Sequence, residues 1–151
     1  MKKIKLIAII ILALTFITLP LVSCDKKEPV DETQEKLTKY FTEVYKAFND
    51  CKFDKYIEYL DMEETVKSEI KERLESVSKM YTSKYEIERL AYDDNGDGTY
   101  NVKIQSIVNI TDLNTNTASK IREVNLYFLT QSGDSYKITK IVEGESELVT
   151  D

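Results

Sequence analysis

Ten tyrosines, 27 aspartates and glutamates, two cysteines and no histidine form the reactive inventory of this 151-residue chain. The missing histidine excludes the most. Ser-His-Asp triads, Cys-His pairs, His-containing zinc sites and two-His-one-carboxylate iron sites all need an imidazole, which titrates near neutrality. What remains is acid–base work by tyrosine and carboxylate, oxygen ligation of a cation, or binding without chemistry. Asp93-Asp94-Asn95-Gly96-Asp97-Gly98 matches the first half of an EF-hand loop, with Asp93, Asn95 and Asp97 as Ca²⁺ candidates and a glycine in sixth place. The twelfth place is Ile104, where a bidentate glutamate is required, and the flanking segments alternate like strands. Asn-Gly and Asp-Gly are also hairpin-turn dipeptides, so a turn is the favoured reading and Ca²⁺ the alternative. No cofactor and no catalytic residue is assigned.

The N-terminus says where the chain works. Lys2, Lys3 and Lys5 precede an uncharged apolar stretch from Leu6 to Val22, the basic and apolar regions of a secretory signal. It ends in Leu21-Val22-Ser23-Cys24, which resembles the lipobox of bacterial lipoproteins. That resemblance implies a signal peptide over residues 1–23 and a diacylglyceryl group on the Cys24 thiol, with palmitate among the acyl chains. The expected location is the cell membrane, lipid-anchored on its extracytoplasmic face. An uncleaved transmembrane anchor is the alternative, but crossing takes roughly 20 apolar residues and Asp25 cuts this stretch short. With Cys24 acylated, Cys51 is left without a partner for an intramolecular disulfide and is expected to be a small, partly buried residue between two helices.

Removing residues 1–23 takes away three of the 21 basic residues and none of the 27 acidic ones, so the remainder is more acidic than the formal net charge of −6. Such a surface repels phosphate, and nucleic acid is not an expected partner. The expected partners are the bilayer, through acylated Cys24, and an envelope protein or small ligand.

Residues 24–34 contain Pro29 and lack periodicity, and read as a polar tether. An α+β domain is expected over 35–143 and an acidic tail over 144–151. Leu37, Tyr40, Phe41, Val44, Ala47 and Phe48 trace one stripe of a helix. Phe53, Tyr56, Ile57 and Leu60 mark a short second helix. Asp61 and Glu64 form a capping-box start for a third, with Met62, Val66, Ile70, Leu74 and Val77 apolar and a charged opposite side.

Beyond Tyr81 the period becomes two. Tyr85, Ile87 and Ala91 define one face of a first strand, and Tyr100, Val102, Ile104, Ser106, Val108 and Ile110 one face of a long second. In the third strand, Lys120 to Thr130, the buried face is assigned to Val124, Leu126 and Phe128, and a fourth covers Ser135 to Val142. Short polar turns make the neighbours antiparallel. The expected fold is three N-terminal helices packed on a curved four-stranded antiparallel sheet.

This element order, with Ala47-Phe48 and Phe53-Asp54-Lys55-Tyr56 at the helix junction, resembles the nuclear transport factor 2-like (cystatin-like) superfamily, and small uncharacterised bacterial lipoproteins carrying such a domain. The resemblance implies a cone whose mouth holds a ligand, serves as an active site, or is packed. Superfamily enzymes such as ketosteroid isomerase use a tyrosine and carboxylic acids in the cone, which brings forward Tyr100, Tyr127, Glu123 and Asn125. Strand parity sets the last three opposite Val124, Leu126 and Phe128, so they reach the cone only if a bulge shifts the register. Tyr40, Tyr56, Tyr100 and Tyr136 are expected in the core. The function expected is a membrane-anchored lipoprotein with a small ligand- or protein-binding domain rather than an enzyme; the alternative is a cone-fold enzyme using tyrosine and carboxylate.

Overall fold

A computed structural model describes residues 31–149, in the order α1 (Glu32–Asn49), α2 (Phe53–Glu58), α3 (Glu64–Ser78), β1 (Tyr81–Asp94), β2 (Thr99–Asp112), β3 (Thr117–Ser132) and β4 (Ser135–Leu148). The signal segment, Cys24 and the tether up to residue 30 lie outside the described residues, as do residues 150 and 151.

Helix α1 starts where its first amides find an acceptor. The Asp31 carboxylate takes N–H bonds from Thr33 and Gln34 at 3.1 and 3.0 Å, and Glu32 and Glu35 complement the positive helix end. Residues 32–34, expected in the tether, are therefore the first helical turn. Leu37, Phe41 and Val44 are completely or almost completely buried, and Tyr40, Tyr45 and Ala47 nearly so. Each large apolar side chain removed from water contributes about 1.5–3 kcal/mol, so this stripe is the main anchor of the helix layer.

The helix closes with Cys51 in the left-handed region at φ 54°. The Cys51 N–H donates to the Phe48 carbonyl and the Lys52 N–H to the Ala47 carbonyl, both at 2.9 Å, which is the Schellman pattern. Cys51 stands where glycine is usual, and it is exposed, not partly buried as expected. The tight reversal turns its side chain outward.

The four strands form one antiparallel meander, β1-β2-β3-β4. Between β2 and β3 the register runs unbroken from Asp112↔Thr117 to Thr99↔Thr130. That pairing sets Tyr127, Asn125 and Glu123 opposite Val102, Ile104 and Ser106, on the helix-facing side of the sheet. Tyr127 and Leu129 are the buried β3 residues, while Val124, Leu126 and Phe128 point the other way and are only half-buried. The expected buried face of β3 is thus reversed, without a bulge in this pair. The strand is apolar on both faces, and the hairpin register decides which enters the core.

In β1 a bulge between Ile87 and Arg89 changes the parity, so Leu90 and Tyr92 follow Tyr85 and Ile87 inward and Ala91 is exposed. β4 runs on to Leu148, through the segment expected as a tail, because its backbone pairs with β3 as far as Leu148↔Ile121. Gly144 permits this: a Cβ there would run into the Val124 carbonyl oxygen.

The expected capping box of the third helix does not form. Glu63 occupies the N-cap without a side-chain cap bond, because Leu60 and Asp61 are drawn to the sheet edge, where the Asp61 N–H donates to the Ile138 carbonyl at 2.8 Å. α3 has no fully buried residue; Val66 and Val77 of its apolar stripe are about 40% exposed.

Cys51→Gly removes the cost of a Cβ at positive φ while keeping both closing bonds. The variant is expected to be more stable by about 0.5–1 kcal/mol, read as a higher melting temperature.

Candidate functional site

Tyrosine and carboxylate meet at the middle of the concave sheet face. β2 contributes Ser106, β3 contributes Glu123, Asn125 and Tyr127, and α1 lowers Tyr45 onto them. The Tyr45 and Tyr127 hydroxyls lie 3.0 Å apart, and Ser106 Oγ donates to the Tyr45 hydroxyl at 3.2 Å. All three residues are buried, so this short hydroxyl chain lies within the packed core. Farther along β3, Asn125 Nδ2 donates to Glu123 Oε1 at 2.7 Å, and Glu143 on β4 is the strand partner of Asn125.

Tyr85 closes the β1 side. Its ring sits 5.5 Å from Tyr45 and 5.0 Å from Phe48, and its backbone is held by Asn49 at the end of α1. Asn49 Nδ2 donates to the Tyr85 carbonyl at 2.9 Å while Asn49 Oδ1 accepts the Tyr85 N–H at 2.8 Å. Tyr56 packs on Phe48 from the other side, 5.4 Å between rings.

Burial sets the protonation states. It pushes the Tyr127 hydroxyl far above the ordinary tyrosine range, with Tyr45 adding to the effect. Tyr45 and Tyr85 are raised for the same first reason, and Tyr56 is pushed up to about 12. These tyrosines are neutral hydrogen-bonding groups at physiological pH. Glu123 is raised too, first by burial and further by Glu143, with the Asn125 amide opposing. A carboxyl so placed gives up its proton later than a solvated one, as a general acid–base group requires.

The structure brings Glu123, Asn125 and Tyr127 together, as the resemblance suggested. Tyr100 is not with them: it lies six residues along β2 from Ser106, roughly 20 Å away, packed edge-on against Tyr136 at 5.4 Å. Tyr40, Tyr100 and Tyr136 are core residues as expected, and Tyr56 is half-buried. Sequence reasoning missed Tyr45, Ser106 as a ligand of its hydroxyl, Tyr85 as a wall, and Glu143. The stripe position of Tyr45, four residues after Phe41, was the available signal for the first.

Asp93, Asn95 and Asp97 belong to the β1–β2 hairpin. Gly96 and Gly98 take φ 78° and 83°, the Asp94 carboxylate accepts the Gly96 N–H at 2.8 Å, and Asp97 accepts the Thr99 N–H at 2.9 Å. Asn95 Nδ2 donates to the Thr99 hydroxyl at 2.9 Å, so Asn95 and Asp97 both serve hydrogen bonds within the turn. Among the described residues no group of three or more acids or thiols is arranged to hold a metal.

Above the hydroxyl chain the cone is filled. Phe41 lies with its ring 4.8 Å from Tyr127, and Leu37, Val44, Val102, Ile104, Leu129 and Ile138 complete a core with exposures of 1% or less.

No protein-family model matches the sequence, and no curated protein does. Solved structures match the fold. Aln2 from a Streptomyces species superposes with a TM-score of 0.63 at 10% identity, over 78% of this chain and 93% of that one. A scytalone dehydratase-like protein from Novosphingobium aromaticivorans gives 0.64 at 6% identity, over 79% and 89%. The beta subunit of the benzoate 1,2-dioxygenase from Burkholderia mallei gives 0.57 at 10%, over 77% and 91%. The chain has the nuclear transport factor 2-like cone fold. At these identities the likeness is one of fold, and the cone's contents are this chain's own.

Two variants test the site. Tyr127→Phe removes one hydroxyl from the chain and is expected to cost about 1 kcal/mol in denaturant unfolding, since Tyr45 keeps Ser106. The folded state holds the Glu123 proton more tightly than the unfolded chain, whose ordinary value is 4.5. Its contribution to stability therefore falls as pH rises from that value through the raised folded one. Glu123→Gln keeps the Asn125 bond and lacks the penalty. It is expected to melt higher than the wild type at neutral pH, the difference closing below the ordinary carboxylate range.

Proposed function

We propose that this chain is a lipoprotein, anchored by acylated Cys24 on the extracytoplasmic face of the cell membrane, whose cone-fold domain works by binding a partner protein. The observation that carries the binding half is the packed cone. Leu37, Phe41 and Val44 on one side and Val102, Ile104 and Leu129 on the other fill the space where a cone-fold enzyme would seat its substrate. The tyrosine hydroxyls there are bonded to one another and neutral. What the domain offers a partner is its outside, which is acidic and carries exposed apolar residues.

The anchor rests on Leu21-Val22-Ser23-Cys24 behind a basic and apolar leader. Six residues separate Cys24 from Asp31, at most ~25 Å of extended chain, so the domain stays near the bilayer. Two or three acyl chains, at about 0.8 kcal/mol per buried CH₂, hold it there stably.

A second reading, a small enzyme of the cone, is favoured by one group. Glu123 is half-buried, raised, and held by the Asn125 amide. The fold accommodates both roles, since its neighbours here include a dehydratase-like protein and the subunit of a larger oxygenase.

Labelling of cells with palmitate is expected to mark the wild-type chain and not Cys24→Ala; label retained at the wild-type level overturns the anchor. Cross-linking of the wild-type protein on whole cells is expected to capture a defined partner. Small-molecule turnover that is lost in Glu123→Gln would replace the binding reading with the enzymatic one.

A further inference from the structure

β4 is an edge strand of the sheet, and only the start of its outer edge is covered. There the Ile138 N–H donates to the Tyr59 carbonyl and the Ile138 carbonyl accepts the Asp61 N–H, both at 2.8 Å, with Leu60 bridging in parallel. The chain itself thus begins a fifth strand and abandons it. From Lys140 to Leu148 no described backbone segment bonds to the outer edge. That stretch spans about 30 Å, and its outward-facing amides and carbonyls, on either side of the bulge at Gly144, are a template for another strand.

Its side chains restrict what pairs with it. Glu143, Glu145 and Glu147 are exposed, and Val142 and Leu148 offer apolar surface at 39% and 71% exposure. Glu147 pairs with Arg122, Nη1 to Oε1 at 3.0 Å, whereas Glu143 and Glu145 have no ion-pair partner among the described residues. Glu123 stands on the neighbouring strand, adding negative potential beside Glu143. A second copy is a poor occupant, because two such edges set glutamate against glutamate. The same charges that repel a copy attract a basic strand.

We propose that the Lys140–Leu148 edge of β4 receives an extended, lysine- or arginine-rich segment of the partner protein as a fifth strand. The backbone ladder supplies the attachment, the glutamates select for basic side chains, and Val142, on the face of Leu126, takes an apolar residue. This rests on the partner-binding reading above and names its surface.

The test follows hydrogen–deuterium exchange of the full chain while a synthetic peptide of about ten alternating Lys and Val residues is added, with a Glu–Val peptide as control. Amides of residues 140–148 are expected to slow about tenfold or more with the Lys–Val peptide alone, those of the β1 edge staying unchanged. Glu145→Lys, which reverses a charge without an ion-pair partner among the described residues, is expected to weaken binding several-fold at an unchanged melting temperature. Raising salt from about 0.1 M to about 1 M shortens screening from ~10 Å to ~3 Å and is expected to weaken it likewise. Unchanged exchange at 140–148 overturns the inference, and so does equal protection by the Glu–Val peptide. A cross-linked partner that leaves this edge unprotected overturns it too, while the partner-binding reading stands.

Discussion

At one end of α1 the Tyr92 hydroxyl donates to the Asp31 carboxylate and Gln34 reaches the Leu90 carbonyl; at the other, Asn49 pairs in both directions with the backbone of Tyr85. The two clamps match in length. Eighteen residues of helix rise ~27 Å, and the seven steps of β1 between Tyr85 and Tyr92 cover ~23 Å. Both ends therefore close together only if Leu37, Phe41 and Val44 between them lie flat on β2 and β3. The Asp31 carboxylate caps the helix and accepts the strand's hydroxyl at once, which holds its carboxyl below the usual range, the Gln34 amide being the first cause.

That seating determines what the cone can contain. With Phe41 over Tyr127 and Tyr45 inserted to reach Ser106, the interior is occupied by the protein's own rings. The polar groups that a catalytic cone would direct at a ligand are instead bonded to each other, and each buried side-chain polar atom among the described residues has a partner. Glu123 and Asn125 are bonded to each other as well, but both stay partly exposed, so this carboxyl keeps access to solvent.

The periphery is held less firmly than the centre. α3 keeps its place through Ile70 against the core and the Lys71–Asp54 pair to α2, an exposed contact that contributes little by itself. The convex side of the sheet carries a charge cluster, with Arg122 bridging Glu88 and Glu147 across three strands, and Lys140 lying 5.4 Å over the Phe128 ring. Stability is thus concentrated where α1 meets β2 and β3, and the outer strands are left with surface available for binding.

Much of this was legible in the linear order of residues. The stripe from Leu37 to Phe48 encodes a helix because apolar residues at three- and four-residue spacing share one side, and the Tyr100–Ile110 alternation encodes a strand buried on one face. Short polar turns then impose an antiparallel meander, and the missing histidine removes whole classes of chemistry. What tertiary structure decided were choices between local equals. β3 is apolar on both faces, so only the unbroken register with β2 could send Tyr127, Asn125 and Glu123 inward and Phe128 outward. Bulges after Ile87 and near Gly144 changed parities that propensity does not encode. The acidic run from Gly144 on reads as a tail by composition, and becomes strand as far as Leu148 because β3 supplies a backbone partner for it. Residue types limited the chemistry that this protein can perform, while register and the seating of one helix determined which of those residues meet.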